Sequence, residues 1–202
     1  MSKVVFNITV SLDGYVAGPN DGPDQGLGEG GERLHDWAFE LASWREPHGL
    51  EGGETNPSSE VLEGMSEAGA VVVGKRMFDN AHGWGDEPPF HTPVFVLTHT
   101  GRERLTKSDT TFTFVTDGIE SAIEQAKAAA GDGDVSIGGG ASTGQQALKA
   151  GLVDEVQLTV APVLLGGGVR LFEGLGPDDA EFELVRVIEG PKATHLKYRV
   201  VK

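Results

Sequence analysis

The chain contains no cysteine. That single absence excludes disulfides, thiolate metal sites and cysteine nucleophiles together, and it suits a reducing compartment. Long apolar runs are missing too. No stretch approaches the ~18 consecutive apolar residues of a membrane span. The segment Met1–Val10 lacks the charged and apolar regions of a signal peptide. The expected location is therefore cytoplasmic, with no membrane partner. Positive charge is scarce: 16 Lys and Arg stand against 31 Asp and Glu, a net charge of −15. Such a surface repels a phosphate backbone, so nucleic acid is not an expected partner. The six histidines, His35, His48, His82, His91, His99 and His195, have no metal-binding spacing, and no metal is expected. No Gly-x-Ser-x-Gly elbow is present either.

What remains, 202 residues with 38% hydrophobic side chains, is enough for one compact domain, here 1–202. Val4–Val10 is rich in β-branched residues and reads as a buried strand. A Gly/Pro/Asp-rich loop follows over 18–31. Leu34, Trp37, Ala38 and Leu41 have helical spacing and predict a helix over 32–44. A loop over 46–57 leads to a short helix through Met65, with Ser58 or Ser59 as its cap. Strands are expected at 70–73, 94–98, 111–115, 135–137 and 153–161. Helices are expected from Lys75, over 119–130, and over 142–149, the last ended by Gly151. Segments 182–188 and 194–201 read as a closing antiparallel pair. Strands alternating with helices imply an α/β fold. Its central sheet is mostly parallel, its C-terminal edge strands antiparallel, and helices lie on both faces.

In so acidic a chain, an anion site must be built from backbone N–H groups or from a few clustered cations. The run Gly138-Gly139-Gly140-Ala141-Ser142-Thr143 offers the first: glycines between a strand and a helix N-terminus, where free N–H groups and the helix dipole attract a phosphate. Read locally, the alternative is an ordinary glycine turn. Gly74-Lys75-Arg76-Met77 and Thr98-His99-Thr100-Gly101-Arg102 offer the second, and both also follow strands. Ligands of open α/β sheets bind at the carboxyl ends of strands. Lys75, Arg76, His99 and Arg102 could together receive a 2′-phosphate. Asp13 in Ser11-Leu12-Asp13-Gly14 reads locally as a turn former. Trp37 has core spacing, whereas Trp84, in a Gly/Pro loop over 80–89, is the better candidate for a pocket wall.

SLDGYVAG, VVVGKRMF, VFVLTH, SIGGGAST and LVDEVQLTVAPVLLGGGVRLF, in that order, resemble the dihydrofolate reductase-like superfamily. The nearest resemblance is to the reductase (RibD C-terminal) domain of riboflavin biosynthesis and its stand-alone relatives. The resemblance implies an NADPH-dependent reductase that transfers hydride to a C=N or C=O group. Its substrate would be a small pterin- or pyrimidine-like heterocycle, as for 5-amino-6-(5-phosphoribosylamino)uracil reductase and dihydrofolate reductase. It also implies a homodimer. The pyrophosphate would lie on Gly138, Gly139, Gly140, Ala141, Ser142 and Thr143. The adenine ribose phosphate would meet Gly74, Lys75, Arg76, Met77, Thr98, His99 and Thr100. The nicotinamide would lie near Thr9, Val16 and Ala17. Asp13 and Asp36 are the carboxylates expected to position substrate or a proton-donating water, with Trp37 and Trp84 on the substrate pocket. Two departures stand out. Gly138 occupies a place where riboflavin reductases carry an acid, and their Ala-Asp-Asp-Pro segment is replaced here over 80–88. The alternative is a nucleotide-binding, non-catalytic or regulatory protein that keeps the cofactor site.

Overall fold

The computed structural model describes residues 2–202. Eleven strands are formed: β1 (Val4–Ser11), β2 (Tyr15–Ala17), β3 (Ala70–Gly74), β4 (Val94–Leu97), β5 (Leu105–Lys107), β6 (Thr110–Val115), β7 (Val135–Gly139), β8 (Glu155–Ala161), β9 (Val169–Arg170), β10 (Glu181–Glu189) and β11 (Thr194–Val201). Nine of them make one sheet in the order β10-β11-β8-β1-β7-β3-β4-β6-β5, while β2 and β9 pair separately. The run from β8 to β6 is parallel. Strands β10 and β11 add the antiparallel edge expected at the C-terminal end. The far edge is antiparallel as well, through β5, a three-residue strand too short to show a pattern in the sequence.

The six α-helices are α1 (Asp36–Phe39), α2 (Ala42–Arg45), α3 (Pro57–Ser66), α4 (Lys75–Asn80), α5 (Ile119–Ala130) and α6 (Ala141–Lys149). Side-chain alternation divides the sheet into two faces. On one face, Val4, Phe6, Val72, Phe95 and Ile137 pack against Ile119 and Ile123 of α5 and Ala147 and Leu148 of α6. On the other, Val71, Val73, Val94 and Val96 pack against Phe78 of α4. Helix α6 lies so close to β1 that a Cβ at Gly144 would enter the Phe6 ring.

The helix expected over 32–44 is broken. Leu34, Trp37, Ala38 and Leu41 are all buried, as their spacing implies. The backbone, however, forms a 3-10 turn over Gly31–His35 and then the two four-residue helices α1 and α2. The cause is tertiary. Glu54 returns to this segment, donating its N–H to Glu40 O and accepting from Ala42 N. That exchange interrupts the helical ladder at Leu41. The cap of α3 also shifts, to Asn56. Its side chain accepts from Ser58 N, and Ser59 Oγ accepts from Asn56 N, with Pro57 at the first helical position.

Candidate cofactor and substrate site

The carboxyl ends of β7, β3 and β4 lie side by side, because Val73 pairs with Gly139 and Gly74 pairs with Leu97. The glycine run, the Gly74 segment and the Thr98 segment therefore meet at one end of the sheet. Gly140 precedes the first residue of α6 with no side chain capping the helix, and nothing lies within 4 Å of where its Cβ would be. Thr143 and Gly144 donate N–H to Gly140 O, whereas the first-turn amides of Ala141 and Ser142 point out of the helix end. At Gly74 a Cβ would come within 2.7 Å of Thr143 Oγ1, so only glycine lets β3 approach this helix end. Gly139 has φ +125°, and a Cβ there would come within 3.0 Å of Met77 Sδ. The result is an open, amide-lined cradle with no carboxylate among its residues.

Around the cradle, several expected residues are already engaged. Lys75 pairs with Asp79 one turn along α4. Arg76, 64% exposed, pairs with Asp21 of the glycine-rich loop. That loop docks further on α4 and the turn after it: Asn80 Nδ2 donates to Gly26 O at 3.1 Å, and His82 Nε2 lies 2.8 Å from Pro23 O. Thr98 is buried; its hydroxyl accepts from Thr100 N and donates to Thr100 O, fixing the turn that carries the exposed His99. Arg102 lies over the Phe114 ring at 4.6 Å. Thr9 sits in β1 opposite Thr159, and Ile8 reaches toward Gly139. Val16 and Ala17 lie in β2, which runs beside β1 and pairs with β9.

The two carboxylates are placed differently. Asp13 accepts from Ser11 Oγ at 2.6 Å, from Leu165 N at 3.1 Å and from Gly166 N at 2.7 Å. The Ser11 hydroxyl and these amides hold its pKa down to about 2 against the opposing effect of burial. It is therefore ionised at neutral pH and anchors the loop over 164–168. Asp36 is exposed at the first position of α1. The two tryptophans differ in burial: Trp37 is a core residue and Trp84 is partly buried. Trp37 is 5% exposed and packs edge-on to His195 with centroids 4.9 Å apart. Trp84 packs on Phe90 at 4.7 Å and joins the Phe78–Phe112 cluster.

A buried polar cluster has no counterpart among the expected residues. His195 Nδ1 lies 2.9 Å from Thr159 Oγ1, and its Nε2 lies 2.9 Å from Ser58 Oγ. Burial lowers its pKa to about 4. In the sequence, His195 alternates with Leu196 like an outward polar residue, so no local pattern marks it. Among the described residues, no group of three or more His, Asp or Glu is placed to hold a metal ion, and no helix is long and apolar enough to cross a membrane.

A mostly parallel sheet with antiparallel edges and a glycine cradle at its carboxyl end is the dihydrofolate reductase-like architecture, with a reductase-type fold. The chain belongs to the RibD C-terminal domain family, whose description matches residues 2–196. It is similar to YyaP of Bacillus subtilis (strain 168), with 24% identity over 181 residues, covering 84% of this chain and 80% of that one. It also resembles a protein of Shewanella sp. PV-4 whose name places it provisionally in riboflavin biosynthesis: 26% identity, TM-score 0.69, full coverage of both chains. Dihydrofolate reductase from Enterococcus faecalis, solved with NADP(H), shares the fold at TM-score 0.60 and 12% identity, covering 99% of this chain and 97% of that one. The bifunctional deaminase/5-amino-6-(5-phosphoribosylamino)uracil reductase of Thermotoga maritima matches at TM-score 0.62 and 15% identity over 99% of this chain. This chain spans 57% of that protein's length.

Proposed function

We propose that this protein is an NADPH-dependent reductase acting on a small pterin- or pyrimidine-like heterocycle. The observation that carries this reading is the open amide cradle at Gly140-Ala141-Ser142. In a chain of net charge −15, it is a place where a pyrophosphate can sit without meeting a carboxylate. Bound NADPH supplies the hydride, and the chain's residues orient and enclose it. Ala141 and Ser142 donate backbone N–H groups to the pyrophosphate. Gly74 keeps the end of β3 clear, and Met77 fills the space beside Gly139. Arg76, His99 and the Thr98–Thr100 turn flank the position of the 2′-phosphate. Thr9, with Val16 and Ala17 across from it, borders the nicotinamide end.

The two carboxylates expected to position the substrate, or a water that supplies the proton, differ in their surroundings. Asp13 is committed to the Leu165 and Gly166 amides, and Asp36 is exposed. The proton is therefore taken from water, while Asp13 acts at a distance by fixing the loop over 164–168. The same commitment of Asp13 favours the second reading, a nucleotide-binding regulatory protein without turnover. NADPH oxidation followed at 340 nm against pterins, pyrimidines and small carbonyls separates the two. Turnover with a heterocycle supports the reductase, whereas tight NADPH binding with no turnover on any of them supports the regulator.

A further inference from the structure

Two central strands carry polar side chains where apolar ones would be expected. Asn7 of β1 and Ser136 of β7 are each 6% exposed, and Asn7 Nδ2 donates to Ser136 Oγ at 2.9 Å. They form the floor of a cavity of about 280 Å³, together with Gln157 and His195. Helix α3 roofs it with Val61, Gly64 and Met65. The cavity lies toward the amino ends of the parallel strands, where Asp134, at its rim, immediately precedes β7. The glycine cradle lies at the opposite, carboxyl end. We propose that this cavity is a second binding site, for a small neutral heterocycle presenting a lactam edge.

The hydrogen-bonding inventory of the floor points to that chemistry. Asn7 uses one amide hydrogen on Ser136, which leaves its Oδ1 as an acceptor and the Ser136 hydroxyl hydrogen as a donor. Gln157 adds a carboxamide with both capacities. A lactam offers an adjacent N–H and C=O, the complement of such a floor. His195 competes for neither, since its two nitrogens face Thr159 and Ser58. Both cations of the rim are paired with carboxylates, and Glu67 and Asp134 add negative charge. Arg186 pairs with Glu60, Lys197 pairs with Glu155, and Asp134 accepts from the Lys3 N–H. No cation is left over to draw in a phosphate. The volume, about 280 Å³, falls just below the range of clefts for drug-sized ligands, roughly 300–1,000 Å³, and suits a smaller molecule. It admits a single ring system and excludes a dinucleotide. The apolar roof suits the face of a ring, and the polar floor suits its edge.

Gly64 gives a clean handle, because a Cβ there meets nothing within 4 Å. Gly64→Leu adds a branched side chain at a position that lines the cavity and replaces a poor helix former with a good one. Gln157→Leu keeps the volume and removes the carboxamide. The probe is uracil, with 1,3-dimethyluracil, which lacks N–H, as its control. The readout is the side-chain amide NMR signals of Asn7 and Gln157. Uracil is expected to shift these signals saturably without moving the backbone amides of residues 138–143. Affinity is expected to fall at least about tenfold in each variant and with the dimethylated control. No saturable shift up to the solubility of uracil would overturn the proposal. So would shifts confined to residues 138–143, equal binding by the dimethylated control, or unaltered binding in Gly64→Leu.

Discussion

Arg76 forms an ion pair with Asp21, so the loop over 18–31 is latched to α4 by the same guanidinium that flanks the proposed 2′-phosphate position. Asp21 has a side chain only 9% exposed, whereas Arg76 is 64% exposed. The carboxylate is thus held in place while the guanidinium is free to choose between it and an incoming phosphate. Asp21→Asn should release that competition. Partly exposed pairs contribute about 0.2–1 kcal/mol, so NADPH affinity should rise by up to about fivefold, with NADH affinity unchanged. Titration calorimetry with both cofactors checks this. Parallel gains for both would remove Arg76 from the 2′-phosphate site.

Asp13 has a second testable consequence. Its pKa of about 2 lies below the ordinary carboxylate value of 3.8, so its stabilising contribution is complete above that ordinary value. It is lost as pH falls through about 2. Asp13→Asn should lower the melting temperature and speed amide exchange at Leu165 and Gly166. Loss of a general acid typically costs about 10²–10⁴ in rate. A kcat drop of that size in a well-folded Asp13→Asn protein would make Asp13 a proton donor after all.

His195 acts on the same acid side, at a higher pH than Asp13. Burial among Thr159, Ser58 and Trp37 lowers its pKa to about 4 from the ordinary 6.5. Between those values the unfolded chain binds more protons than the folded one, so stability falls as pH drops from 6.5 toward 4. One pKa unit is about 1.4 kcal/mol; with the imidazole bordering a polar cavity, about 1–2 kcal/mol of lost stability is a reasonable scale. Urea melts at pH 7 and pH 4.5, with His195→Gln alongside, test this. The glutamine variant should lose most of the pH dependence that belongs to this window.

Gly144 tests the packing that carries the cradle. Its missing Cβ is what allows α6 to rest on Phe6. Gly144→Ala should cost about 1–3 kcal/mol through overpacking, despite alanine's better helix propensity. A midpoint in urea that rises rather than falls would mean that α6 can move off the sheet.

Much of this architecture was readable in the chain. Helix α5 and strand β11 occupy the segments expected for them, 119–130 and 194–201. Both are long, the first rich in alanine, the second closing an antiparallel pair. Strands β2, β5 and β9 have two or three residues each and no pattern to read. The broken helix over 32–44 shows the other limit, because Glu54 is a distant partner that spacing cannot reveal. At the site, the meeting of the glycine run with the Gly74 and Thr98 segments was legible, because all three follow apolar strands of one parallel sheet. The engagement of Arg76 by Asp21 was not, and neither was the His195–Thr159–Ser58 cluster. Both depend on which distant side chains share a face. The polar residues Asn7 and Ser136 inside apolar strands were visible signals whose meaning appears only with the cavity.

The central claim concerns the amide cradle, and Ser142→Asp tests it most directly. Ser142 is exposed in the first turn of α6, where an added carboxylate favours the helix dipole, by about 0.3–1 kcal/mol, and the fold should survive. The same carboxylate would face a bound pyrophosphate. The account predicts micromolar or tighter NADPH binding to the wild-type protein, weaker NADH binding, and at least about a hundredfold loss for Ser142→Asp at an unchanged or higher melting temperature. Undiminished NADPH affinity in a folded Ser142→Asp protein would contradict it.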